Sequence, residues 1–239
     1  MKKKIFSFLL AICLIIPAIF VLTACDDTEN PPEDTNIYVS TQEQLFNAVE
    51  NTNDNKIVLT QDIEIDRQLT VTKKVTLDLN GKEIFNTTDI WNIAEGVKEW
   101  SLISVQGDGE LTITGNGVLN AKENDCYAID VRDSAKVIIK NGTITGNVSA
   151  VYVKNNATAV IEDGTYNIKQ LSNSYNDYRY LLNALDEDNQ DAKIVVKGGT
   201  FTQYDPSHSN SENPQMNFVA EGYESIENEG NYIVSKIAD

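Results

Sequence analysis

Two charged pairs and three aromatic clusters hold most of the side chains in this sequence that could do chemistry. Asp130 and Arg132 lie two residues apart in one apolar run, Tyr152 and Lys154 lie two apart in the next, and Asp186 follows a third. Residues two apart on a strand share a face, and neighbouring strands stack about 4.8 Å apart. In-register stacking would therefore gather Asp130, Arg132, Tyr152, Lys154 and Asp186 on one outward patch. That patch suits an acidic sugar. With Arg132, Lys154 or Tyr152 as base and charge stabiliser, it also suits β-elimination on an acidic polysaccharide. The same spacing equally suits charges that pair with one another across neighbouring strands.

The aromatic clusters are Trp91 and Trp100 in residues 86–101, Tyr175, Tyr178 and Tyr180 in residues 167–181, and Tyr204 with His208 in residues 203–217. Rings beside acids and amides can stack on sugar faces, and long insertions in a compact repeat are often functional. They can also fold back over exposed core, where aromatic burial is large. Other chemistries lack residues. With His208 as the single histidine and Cys126 as the one cysteine outside the first 25 residues, zinc, Ser-His-Asp and Cys-His sites have no basis. No phosphate-cradling glycine motif is present. Asp186, Glu187, Asp188 and Asp191 cluster as calcium ligands do, but without the EF-hand spacing, so no cofactor or metal is expected beyond a calcium option there.

The elements that must position these residues are set by a repeat. Lys136-Val-Ile-Ile-Lys-Asn-Gly-Thr-Ile is followed, 22 residues later from glycine to glycine, by Ala159-Val-Ile-Glu-Asp-Gly-Thr-Tyr. The glycine recurs at 81, 117, 142, 164 and 199. A second ladder, Leu102–Val105, Ala128–Val131, Ala150–Val153 and Leu182–Leu185, precedes those glycines at a near-constant distance. Self-similarity at this period marks a solenoid of stacked turns. Ile84 falls three residues after its glycine where Ile144, Tyr166 and Phe201 fall two after, which predicts a one-residue change of turn geometry. The ladder aligns Ala184 with Tyr152. No proline occurs between Glu33 and Asp205, so every strand there can donate its backbone bonds. Asn-Gly, Asp-Gly and Gly-Gly pairs supply positive φ at the corners. Asn141, Asn147 and Asn156 match the glycosylation pattern but are expected to serve as turn residues.

Both ends of the stack need covering. Thr41 with Gln44 makes a capping box for a short amphipathic helix with Leu45, Phe46, Ala48 and Val49 on one face. A hairpin turning at Asn228-Glu229-Gly230 would close the other end.

The chain opens with Lys2, Lys3 and Lys4, an apolar run from Ile5 to Leu22, and Leu22-Thr-Ala-Cys25. This pattern is an export signal, and its last four residues resemble a bacterial lipobox, which implies cleavage before Cys25 and a lipid on its sulfur. The expected location is extracytoplasmic, anchored to the membrane through that lipid. Residues 25–36 are acidic and proline-bearing, a spacer. Setting residues 1–24 aside removes three of 19 basic side chains and none of 36 acids, so the net charge falls from −17 to −20. That balance argues against nucleic acid as a partner.

Val75-Thr-Leu-Asp-Leu-Asn-Gly and Leu111-Thr-Ile-Thr-Gly-Asn-Gly, repeated turn by turn, resemble the rungs of the pectate-lyase-like superfamily. The resemblance implies an all-β, single-stranded right-handed parallel β-helix over residues 37–202, with a short N-terminal capping helix and a C-terminal hairpin in residues 203–239. Of the motifs polygalacturonases carry on this fold, only Asn189-Gln190-Asp191 has a counterpart; Gly-His-Gly and Arg-x-Lys are missing, and Asp26-Asp27 lies in the spacer. The expectation is a non-catalytic binder of glycan or other cell-surface material, with a small polysaccharide lyase as the alternative. Its ligand-binding residues are expected among Trp91, Trp100, Tyr175, Tyr178, Tyr180, Asp130 and Asp186.

Overall fold

Alternation of apolar and polar residues, broken every few positions by Gly, Asn or Asp, gives short strands that turn a corner and start again. In the computed structural model, residues 35–52, 55–92, 94, 99–170, 180–185, 191–209, 211–212 and 217–238 are described. They lie in one compact unit beginning at Thr35.

The strands fall into three sheets, called I, II and III. β1 (Ile37–Val39) and β2 (Lys56–Leu59) open sheet I, with α1 (Gln42–Asn51) between them. β3 (Ile63–Glu64) lies in sheet II, β4 (Leu69–Val71) in III and β5 (Lys74–Asp78) back in I. The same cycle continues with β6 (Glu83–Phe85), β7 (Ser101–Val105) and β8 (Glu110–Thr114), then β9 (Val118–Asn120), β10 (Tyr127–Val131) and β11 (Lys136–Ile139). It goes on through β12 (Thr143–Gly146), β13 (Val151–Lys154) and β14 (Thr158–Ile161), and ends with β15 (Thr165–Ile168), β16 (Leu182–Leu185), β17 (Lys193–Val196) and β18 (Gly199–Thr202). From β2 to β15 each strand pairs in parallel with the one three places along, as in Val137↔Ala159 and Ile144↔Tyr166. Among the described residues the fold is all-β with parallel sheets and one α-helix, an arrangement consistent with a β-helix.

Inward side chains build a single core. Leu77, Ile113, Ile139 and Ile161 are buried along sheet I; Ile84, Leu119, Ile144, Tyr166 and Phe201 are buried along sheet II. Tyr166 and Phe201 stack at 4.9 Å between centroids and 10° between planes. Cys126 is fully buried, as a small hydrophobe would be, and burial first of all pushes its thiol far up from the usual range. The corner from sheet I to II requires glycine: Gly142 and Gly164 have φ of +111° and +118°, and a Cβ on Gly164 would meet the Gly142 carbonyl oxygen at 2.7 Å. The expected change at the first turn takes the form of two left-handed residues in succession, Asn80 and Gly81. The asparagines of the glycosylation patterns are engaged in turns: Asn141 Oδ1 accepts from the Gly142 N–H, Asn147 Oδ1 from the Asn124 N–H and Asn156 Oδ1 from the Asp191 N–H.

Both ends are covered. α1 packs Leu45, Ala48 and Val49 inward, near β1, β2 and β4. Thr41 Oγ1 accepts from the Gln44 N–H, while the Gln44 side chain reaches one residue further back than a capping box requires, accepting from the Ser40 N–H. Phe46 is only half-buried, with the Arg67 guanidinium 4.5 Å from its ring centre. At the other end β19 (Tyr223–Asn228) and β20 (Asn231–Lys236) form the expected hairpin, turning at Glu229 and Gly230, both at positive φ. β20 adds antiparallel to β18 in sheet II. Val219 bridges to Val196 in sheet I, and the Tyr204 hydroxyl donates to the Leu182 carbonyl in sheet III. The last strand of every sheet is thereby met.

Candidate functional site

The insertions at 86–101 and 167–181 both leave sheet II and enter sheet III, so they share one corner as the repeat predicts. The first is held by Asp125, in the short connection between β9 and β10. Its carboxylate accepts from the Ile90 and Trp91 N–H groups and from the Asn86 amide. At the far foot, the Trp100 N–H and the Ser101 hydroxyl donate to Gln68 Oε1. Asn92 and Glu99 form an antiparallel bridge between the feet. This clamp lays both tryptophans on the outer face of sheet III.

There the rings run in sequence. Trp100 and Trp91 are 6.5 Å apart, Trp91 meets Tyr127 edge-on at 5.5 Å, and Tyr127 lies 5.4 Å from Tyr152. Trp91 remains 41% exposed. Burial, with Glu212 and Asp130 nearby, raises the Tyr127 hydroxyl to about 12, so it stays protonated in any physiological medium.

Beneath the rings lies the charged cluster expected on an open patch. Asp130 Oδ2 accepts from the Ser104 hydroxyl at 2.6 Å, from Arg132 Nε at 2.9 Å and from Arg132 Nη2 at 2.6 Å. Ser104 Oγ in turn accepts from the Gln106 amide and from Arg132. The Arg132 guanidinium lies 4.6 Å from the Trp100 ring centre and Lys154 Nζ 5.6 Å from it. The expectation of an open patch is corrected here: Asp130 is 0%, Arg132 6% and Tyr152 8% exposed. The physical reason is that the insertion folds its own aromatic area back over them. The Asp130 carboxylate pairs with Arg132 on its own rung and takes the Ser104 hydroxyl from the neighbouring one. Burial pushes the Asp130 carboxyl above its ordinary value, with Arg132 and Ser104 pulling the other way. Asp130 Oδ1 and Trp100 Nε1 are buried without a hydrogen-bond partner among the described residues.

The register differs from expectation by one residue in the last rung. Tyr152 pairs with Asn183, and Val153 with Ala184. A one-residue slip reverses faces. Leu182 and Ala184 are fully buried, and Asn183 takes the outward position, its Oδ1 accepting from the Glu212 N–H.

The structure therefore brings Trp91, Trp100, Asp130, Arg132, Tyr152 and Lys154 together. Tyr180 is half-buried beside Leu181. Tyr175, Tyr178 and Asp186 lie outside the described residues, as do Cys25, Glu187 and Asp188. Asp191 is described and pairs with Lys193 at 2.5 Å. Among the described residues no group of three or more His, Cys, Asp or Glu side chains could hold a metal ion, and no helix is long and apolar enough to cross a membrane. Tyr204 belongs to the end cover, and His208 contacts Asp205 and Ser207.

Sequence reasoning missed Ser104, Tyr127 and Asp125. Ser104 and Tyr127 matter through partners on neighbouring rungs, which spacing within one rung does not disclose. Asp125 did leave a signal: an acid in a short connection one rung after a long insertion is placed to bind that insertion's backbone.

A comparison with family models, with curated proteins and with solved structures finds no match, so the reading of this site rests on its own geometry.

Proposed function

We propose that this chain is a lipid-anchored extracytoplasmic protein whose domain, a single-stranded right-handed parallel β-helix of the pectate-lyase-like kind, binds glycan without catalysis. The handedness follows from the strong preference of parallel crossovers. The anchor rests on the basic start, the apolar run and Leu22-Thr-Ala-Cys25. The observation that carries the binding reading is the run of rings Trp100, Trp91, Tyr127 and Tyr152 across the outer face of sheet III, within which the Trp91 ring is 41% exposed. Trp100 is held by Arg132 and Lys154 and the rings beyond it lean on one another, so the run is ordered before a ligand arrives, which lowers the entropy lost on binding.

The lyase alternative asks Arg132 or Tyr152 to meet substrate. Both are buried, Arg132 beneath Trp100 and Tyr152 beside Tyr127, and Arg132 already neutralises Asp130. The binding reading needs no such rearrangement. A glycan array probed with the full chain and with Trp91→Ala tests it: hits with the native chain that fade in the variant support it. A folded native chain silent on every glycan overturns it, and release of an unsaturated product from polyuronate would put the lyase in its place.

A further inference from the structure

A cleft of about 420 Å³ opens beside Trp91 and Tyr127 of this ring series, between the first insertion and the corner that precedes β13. It falls in the size range of small-ligand sites, roughly 300–1,000 Å³. Trp91 and Tyr127 form its apolar side, and Asp89, Asn124, Asp125 and Asn147 its polar side.

The polar groups differ in what they have left to offer. Asp125 is saturated by the backbone of the insertion and serves as its anchor. Asn147 Oδ1 accepts from the Asn124 N–H, and Asn124 Oδ1 accepts from the Gln170 amide. Both asparagines thus spend their acceptors, and among the described residues their Nδ2 donors have no partner. Asp89 Oδ1 takes Lys122 Nζ at 2.6 Å, leaving Oδ2 as an acceptor. Asn124 sits at a left-handed φ of +62°, a conformation asparagine tolerates. Two amide donors and one carboxylate acceptor beside an exposed indole face match the alternating hydroxyls and C–H face of a pyranose ring.

Charge decides which pyranose. Among the described residues two carboxylates and no lysine or arginine line the cleft, and Lys122, just outside that lining, is committed to Asp89. A uronate would bring a third negative charge into that space. Resting on the glycan-binding reading above, we infer that this cleft holds an uncharged hexopyranose unit and rejects uronic acids, although the fold type with which the sequence shares its rungs first suggests acidic sugars.

Calorimetric titration of the full-length chain in detergent, with neutral oligosaccharides taken from the array and with oligogalacturonate, tests the inference. The expected result is binding of a neutral oligomer, at least tenfold tighter than of the uronate. Trp91→Ala should weaken it by tenfold or more, and Asn124→Asp, which swaps a donor for a charge but keeps the acceptor for Gln170, by several-fold. Circular dichroism confirms that each variant is folded. Uronate binding as tightly as neutral sugar, with loss in Trp91→Ala, overturns the inference and leaves the glycan reading intact. Neutral binding untouched by either variant places the ligand elsewhere and overturns the inference alone. Silence with both sugar classes overturns both.

Discussion

Asp130 shows how a charge can be fixed in a face that sequence would leave open. Its carboxylate and the Arg132 guanidinium are both desolvated, so each depends on the other. Removing one partner of a buried pair typically costs about 3–5 kcal/mol, whereas replacing both by apolar groups can be close to neutral. Asp130→Ala is therefore expected to lower stability by about 3 kcal/mol or more, and Asp130→Ala with Arg132→Met to recover most of that loss, measured by urea unfolding. A double variant as unstable as the single one would mean that Arg132 acts mainly through its stacking on Trp100. Asp130, Arg132, Tyr152 and Lys154 were legible in the sequence as neighbours, because alternation fixes their face. The burial of Asp130 and Arg132 was not, because it comes from Trp100, which lies thirty residues before Asp130 and arrives over the sheet through a loop.

At the scale of elements, the corners and the end cover carry separate tests. Gly164 needs both its left-handed φ and its missing Cβ, since the Gly142 carbonyl oxygen lies in the way. Gly222 needs only its φ of +80°, with nothing within 4 Å. Gly222→Ala is expected to cost about 1 kcal/mol and Gly164→Ala ~3 kcal/mol, read from urea midpoints; equal costs would remove the close-contact account. The end cover is tied by Asp205, whose Oδ1 accepts from the Ser207 N–H and hydroxyl and from the Ser225 hydroxyl on β19. Burial works against its ionisation, yet these bonds together hold its carboxyl below the ordinary 3.8. A depressed carboxylate adds stability above 3.8 that is lost as pH falls through the folded value. The native chain should thus lose stability on acidification more steeply than Asp205→Asn, and parallel pH profiles of the two would refute the tie. The hairpin itself was legible from Asn228-Glu229-Gly230; its reach to Asp205 was not, because that bond joins residues twenty positions apart.

For the whole molecule, the decisive expectation concerns Cys25. Metabolic labelling with a radioactive fatty acid should mark the native chain and not Cys25→Ser, which should accumulate in uncleaved form. Label on both, or on neither, would remove the lipid anchor from the account. The strongly acidic balance, −17 over the full sequence, agrees in sign with a cleft lined by Asp89 and Asp125.

Sequence alone determined the period of about 22 residues, the parallel stacking it requires, the corner glycines, the helix at one end and the hairpin at the other. These follow from local rules: which residues tolerate positive φ, which alternate, and which cap. Tertiary structure decided the rest. It set Asn183 rather than Ala184 opposite Tyr152, because Leu182 and Ala184 are the residues the core accepts. It covered Asp130 and Arg132 with Trp100, and it brought Trp91, Asn124 and Asn147 around one cleft. Contacts between an insertion and the rungs beside it depend on where a long loop folds back, and no spacing along the chain encodes that.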